Sequence, residues 1–261
     1  MSGFRDFWVR AALLLSLLIP IYFLFAALGT RFGMFDWTFG LLTMTEQWGE
    51  RILLAGAALA LVGLLLAFLV APPRGRGLAL ISLLIPAVGI GYGLYLRQQA
   101  AELPAIHDVS TDLIDPPSFS DAVAQARADV IGSNSLDLLG KRSEDGRAFI
   151  ELQREGYPDI DSVPTGLTQA QAFQVTLALA REQKWTLGEV DAPRGAIEAT
   201  ARSFWFGFTD DIAIRIRSDG SGARVDMRSV SRVGRVDTGA NAARIRPFMR
   251  ELRLRLEEAG G

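Results

Sequence analysis

Ile212-Ala213-Ile214-Arg215-Ile216-Arg217-Ser218-Asp219-Gly220-Ser221-Gly222-Ala223-Arg224-Val225-Asp226-Met227-Arg228 decides the architecture of the second half of this chain. Ile212, Ile214 and Ile216 fall on one side of an extended segment, with Arg215 and Arg217 on the other. Beyond the turn, Val225 and Met227 oppose Arg224, Asp226 and Arg228. This two-residue repeat marks half-buried strands, because successive side chains point to opposite faces. Asp219-Gly220-Ser221-Gly222 turns tightly, so the stretch predicts a hairpin with one apolar and one charged face.

Two more strands precede the hairpin: Trp185 to Val190, and a segment in which Ile197, Ala199, Ala201, Ser203 and Trp205 alternate with Glu198, Thr200, Arg202 and Phe204. Before them, Thr168 and Gln171 form a capping box for a helix carrying Phe173, Leu177 and Ala180 at helical spacing up to Lys184. After them, Ile245, Phe248, Met249, Leu252 and Leu256 line one side of a closing helix. Pro247 fits best near a first turn, which predicts a start around Ala243 or Arg244. Helix, four antiparallel strands and helix predict a two-layer α+β sandwich with both helices on the apolar sheet face. The part from Pro104 to Gly166 is less regular. Ser120 opens a short helix, and Phe149 to Leu152 is the strand candidate in an otherwise irregular, packed region.

The first hundred residues are of another kind. Ala11 to Leu28, Ile52 to Val70 and Leu78 to Leu96 are apolar runs close to the roughly 20 residues that cross a bilayer. In hydrocarbon each must close its own backbone hydrogen bonds as a helix, with Pro20 and Pro86 as kinks. The first run exceeds the roughly 7 to 15 residues of a secretory signal core, so it reads as an anchor. The organisation is therefore a three-helix transmembrane anchor over residues 1–97 and a soluble α+β domain over residues 98–261, joined by a tether from Gln98 to Pro104.

Arg5 and Arg10 precede the first span, and the turn between the second and third carries Arg74 and Arg76 with no acid. Positive short loops stay on the cytoplasmic side, so the N-terminus and this turn face inward and the soluble domain lies outside, periplasmic on an inner membrane. Phe32, Phe35, Trp37, Phe39 and Trp48 make the first loop an interfacial segment. Gly89, Gly91 and Gly93 permit close helix approach in the third span.

The chain has no cysteine and a formal net charge of −2, which excludes a disulfide framework and thiolate metal sites. Charge is unevenly distributed, with 7 basic and 15 acidic side chains from Pro104 to Pro193 against 13 and 9 from Arg194 to Gly261. The charged sheet face displays Glu198, Arg202, Arg215, Arg217, Arg224, Asp226, Arg228 and Arg232. Three readings of this array are open. It can be a solvated face laced with cross-strand ion pairs, each contributing about 0 to 1 kcal/mol. It can hold the chain's own acidic segment from Asp137 to Asp161. Or its planar guanidinium forks can bind an external anion, a lipid headgroup or an acidic partner.

His107 is the single histidine, with Asp108 and Asp112 nearby. A catalytic or metal role there competes with a structural hydrogen-bonding role beside the tether. Asp210-Asp211 reads as turn capping rather than an acid and base pair. No Gly-x-Ser-x-Gly elbow exists. The loop Val233 to Asn241 offers amides ahead of the last helix, but Asp237 there predicts a helix cap rather than an anion site. The net acidic soluble domain, placed outside the cytoplasm, argues against nucleic acid as a partner.

A family resemblance lies in the C-terminal run: Ile197-Glu198-Ala199, Asp210-Asp211, Arg224-Val225-Asp226-Met227-Arg228-Ser229, Ser231-Arg232-Val233-Gly234 and Asp237-x-Gly239-x-Asn241-Ala242-x-Arg244-Ile245. Ile106-His107-Asp108-Val109-Ser110-Thr111-Asp112, Pro116-Pro117, Phe119 and Tyr157-Pro158 extend it. From about Leu103 to Glu258 the chain resembles domain-of-unknown-function family 1499 (DUF1499), although Phe204 to Phe208 is more aromatic than the pattern. The resemblance implies a membrane-anchored or exported bacterial domain, with plastid relatives and no defined activity. The expectation is a non-enzymatic binding or scaffold module without cofactor or metal, recognising membrane lipids or another envelope protein. Its alternative is a small membrane-anchored hydrolase using His107 and nearby carboxylates.

Overall fold

A computed structural model describes residues 2–260. The chain divides into two compact units, Met1–Gln99 with Phe204–Gly207, and Ala100–Ser203 with Phe208–Gly261. In the first, α1 (Ser2–Arg31), a helix over Thr38–Leu69 and α3 (Arg76–Ala101) are each long and apolar enough to cross a membrane. Their outward residues are leucines, isoleucines and phenylalanines such as Leu14, Leu18, Ile21, Leu54 and Leu84, which is the surface hydrocarbon requires. Small residues mark the helix contacts: a Cβ at Gly89 would lie 2.5 Å from Leu53 Cδ2. Gly91 and Gly93, expected to do the same, face open space.

The interfacial loop expected after the first span is shorter than predicted. Thr38–Trp48 winds as a π-helix that runs directly into α2 (Gly49–Leu69). Asp36 explains the early start, because its carboxylate accepts the free amides of Thr38 at 2.8 Å and Phe39 at 3.0 Å. Polar groups inside the unit are satisfied locally. Ser16 donates to Ser82 O at 2.7 Å, and Tyr22 Oη to Met44 O at 2.8 Å. Arg5, only 1% exposed, donates to Val70 O at 3.0 Å and to Pro72 O, capping the carbonyl end of α2.

The second unit is α+β, as the periodicity implies, but its antiparallel sheet has six strands rather than four. The four foreseen are β3 (Thr186–Asp191), β4 (Ala196–Arg202), β5 (Thr209–Asp219) and β6 (Gly222–Ser231), with Gly220 in the left-handed region at the hairpin turn. The additional β1 (Asp108–Ser110) and β2 (Val163–Thr165) pair end to end along the free edge of β6. At three residues each, neither is long enough to show alternation. They close an edge that would otherwise expose unpaired peptide groups.

Register places Ile197, Ile214 and Met227 in line on one face, with Ile212, Ile216 and Val225 beside them, all buried under α6 (Gln169–Glu182) and α7 (Ala240–Gly260). Thr168 caps α6 in the predicted box. Phe149–Gly156 is a helix, α5, and not a strand, since Phe149, Leu152 and Gln153 are buried at helical spacing. The closing helix begins at Ala240, earlier than Pro247 suggested. Asp237 accepts the amides of Gly239 at 2.8 Å and Asn241 at 2.7 Å, so the cap and not the proline fixes the start.

Candidate functional site

The charged sheet face carries Glu198, Asp211, Arg215, Arg217, Arg224, Asp226 and Arg228, and the segment from Asp108 through α4 (Asp121–Ala128) to Leu136 covers it. Three ion-pair groups result. In the first, Asp226, fully buried, meets Arg215 at 2.8 Å and Arg224 at 3.1 Å and accepts from Ser162 at 2.6 Å. Asp112 bridges Arg217 at 2.8 Å and Arg224, while Asp115 reaches Arg215 at 3.0 Å and Arg217 at 2.8 Å. In the second, Arg228 binds both oxygens of Asp108, at 2.9 and 2.8 Å, and donates to Leu136 O and Pro117 O. Lys141 also binds Asp108, at the oxygen that Arg228 Nη2 contacts, and the Phe119 ring lies 5.2 Å from the Arg228 guanidinium. In the third, Arg127 and Arg232 share the buried Asp211.

Of the three readings of the array, two are combined: Arg215 pairs across the strands with Asp226, and the chain's own acids cover the face. The covering acids are Asp108, Asp112 and Asp115, not the expected segment from Asp137 to Asp161. Position explains the difference: β1 is hydrogen-bonded beside β6, which brings the residues following it directly over the arginines. Arg202 stands at the exposed end of β4, opposite Thr209 of β5. Asp210 and Asp211 open β5 instead of forming a turn. Asp210 pairs with Arg244 of α7 at 2.6 Å on the helical side, and Asp211 faces the charged layer.

Burial alone would raise the Asp108 carboxyl, but the hydrogen bonds and charge of Arg228, with Lys141, hold it below the ordinary range. Asp112 is likewise held low. The amides of Asp115 and Ile114 and the Arg224 guanidinium outweigh its burial. Lys141 is pushed down by burial despite Asp108.

His107 lies outside the arginine groups. Its Nδ1 is 3.0 Å from Arg235 O, its ring packs edge-on against Phe149, and it is 8% exposed. Nε2 is buried with no partner, and burial followed by Lys141 pushes the imidazole down toward the neutral form. The carboxylate beside it in sequence, Asp108, is committed to Arg228 and Lys141. Among the described residues no group of three or more His, Asp or Glu has a metal-binding arrangement. Sequence reasoning missed Arg127, Lys141 and Asn241. Asn241 joins Ser229 Oγ at 2.6 Å, Ser231 Oγ at 3.0 Å and His107 O, tying α7 to β6 and the start of β1. The one signal for Asn241 was its place in the C-terminal motif.

Three membrane-length apolar helices and an antiparallel α+β domain with an ion-paired outer layer define a membrane-anchored α+β protein. The chain belongs to the family described as protein of unknown function (DUF1499), whose profile matches residues 108–252. No curated protein matches it.

Proposed function

We propose that this protein is a non-enzymatic accessory module of the cell envelope, anchored by three spans, which recognises an acidic group presented by a lipid headgroup or an envelope protein. The observation that carries this is Asp115. Its side chain is 64% exposed, yet it supplies the outer contacts of Arg215 and Arg217, whose inner contacts, Asp112 and Asp226, are buried. An incoming phosphate or carboxylate can replace the outer carboxylate while the inner ones keep the arginines in place. The guanidinium fork suits either group. Arg224 flanks the same site, whereas Arg228 and Arg232 serve the layer beneath.

Hydrolysis is less well supported, because a substrate has no open approach to a buried His107 whose acidic neighbour is consumed by ion pairs. The soluble domain is assigned to the outer, periplasmic side of the inner membrane on the arginines at the N-terminus and at Arg74 and Arg76. A reporter fused at the C-terminus is expected to be active only outside the cytosol, and cytosolic activity overturns the topology. Titration of the detergent-solubilised chain with a short-chain phosphatidylglycerol tests the site. Asp115→Asn should tighten binding and Arg217→Ala weaken it. Equal affinity in both variants and the wild type, with the fold intact, rejects this site.

A further inference from the structure

The connection between β4 and β5 is absorbed neither by the core nor by the charged layer. It closes on itself: Ser203 donates its amide to Phe208 O at 2.8 Å, Phe208 donates to Ser203 Oγ at 2.8 Å, and Gly207 adopts a positive φ of 71°. The pairing satisfies the amides of Ser203 and Phe208 at the neck of the tip, and each peptide group so closed lowers the cost of entering a poorly hydrating layer. From it project Phe204, 71% exposed, and Trp205, 56% exposed, in edge contact at 5.0 Å.

Phe204–Gly207 belongs to the compact unit formed by the apolar helices. Within that unit the Arg31 guanidinium, at the end of α1, lies 5.6 Å from the Phe204 ring centre and donates to Phe204 O. Arg31 opens the segment where Phe35, Phe39 and Trp48 pack edge to edge. Aromatic rings at the ends of spans favour the headgroup layer, where an amphipathic ring meets both water and hydrocarbon.

We propose that Phe204 and Trp205 form a membrane-docking tip that inserts into the headgroup layer of the bilayer holding the three spans, completing the aromatic belt begun by the segment after Arg31. The occupant of this patch is lipid. The inference deepens the reading of a membrane-anchored module and rests only on its membrane attachment, not on the Asp115 anion site.

The cysteine-free chain makes the test direct. Full-length Phe204→Cys and, separately, Trp205→Cys carry a spin label in vesicles of phosphatidylethanolamine and phosphatidylglycerol, with Ser221→Cys at the exposed β5–β6 turn as reference. Labels at 204 and 205 should collide severalfold more with oxygen, relative to a water-soluble nickel chelate, than the label at 221. Water exposure equal to that at 221 overturns the proposal. So does low access to both reagents, which marks a protein contact instead of lipid. Circular dichroism confirms the fold of each variant, and unchanged phosphatidylglycerol titration separates failure here from failure of the anion site.

Discussion

Asp108 and Arg228 meet diagonally across the β1–β6 pair, Asp108 standing opposite Val230 and Arg228 opposite Ser110, in a two-pronged contact of 2.9 and 2.8 Å with both side chains almost wholly removed from solvent. A buried pair of this kind adds little net stability over an apolar substitute. Removing one partner, however, strands the other's charge.

Arg228→Met leaves Asp108 with Lys141 alone and two carbonyls without their donor, and should destabilise the second unit by about 3 kcal/mol, the lower end for a broken buried pair, measured by chemical unfolding. Lys141→Met should cost distinctly less, because Asp108 keeps its two bonds to Arg228. Equal losses would show that the two cations share the carboxylate equally.

Acid sensitivity follows from two limbs of opposite chemistry but the same sign. His107 has a folded-state pKa below the 6.5 of the free imidazole, so its neutral form is favoured in the fold, and stability falls as pH drops below 6.5. Asp108 and Asp112 lie below 3.8 in the fold. Their contribution is complete above that value and is lost as pH falls through the lower, folded-state values. Unfolding measured against pH should show both limbs, and His107→Gln should abolish only the upper one.

Asp237 stands between its capping role and its burial, and burial wins in its titration, raising the carboxyl above 3.8. An uncharged acceptor preserves the cap. Asp237→Asn should unfold at nearly the wild-type denaturant concentration, whereas Asp237→Ala should lose about 1 kcal/mol.

Gly195, between β3 and β4, has φ +64°, and a Cβ there would lie 2.0 Å from Ile216 O. Gly195→Ala combines a disfavoured backbone with a direct clash against a strand carbonyl. A loss of about 1 to 3 kcal/mol is expected in the same unfolding assay.

The spans and the four long strands were legible because their hydrophobic periods run for many residues, and the Thr168 box because its spacing is fixed. The charged layer was legible as a list of arginines but not as a set of pairs. Alternation says which face a side chain takes, whereas the partners Asp108, Asp112 and Arg127 come from about a hundred residues earlier in sequence. The short β1 and β2 were invisible for the same reason, since three residues carry no period. Phe149 to Leu152 misled because a short apolar run fits either a strand or one turn of helix until its burial is seen.

Because β1 lies alongside β6, the residues that follow the third span most closely must wait for partners made more than a hundred positions later. During synthesis the stretch around Asp108 emerges with its peptide groups unmatched, and only completion of the final hairpin gives them partners. Assembly of this domain is consequently a late, non-local event that cannot proceed span by span, and truncation near the C-terminus should undo the structure closest to the membrane tether first.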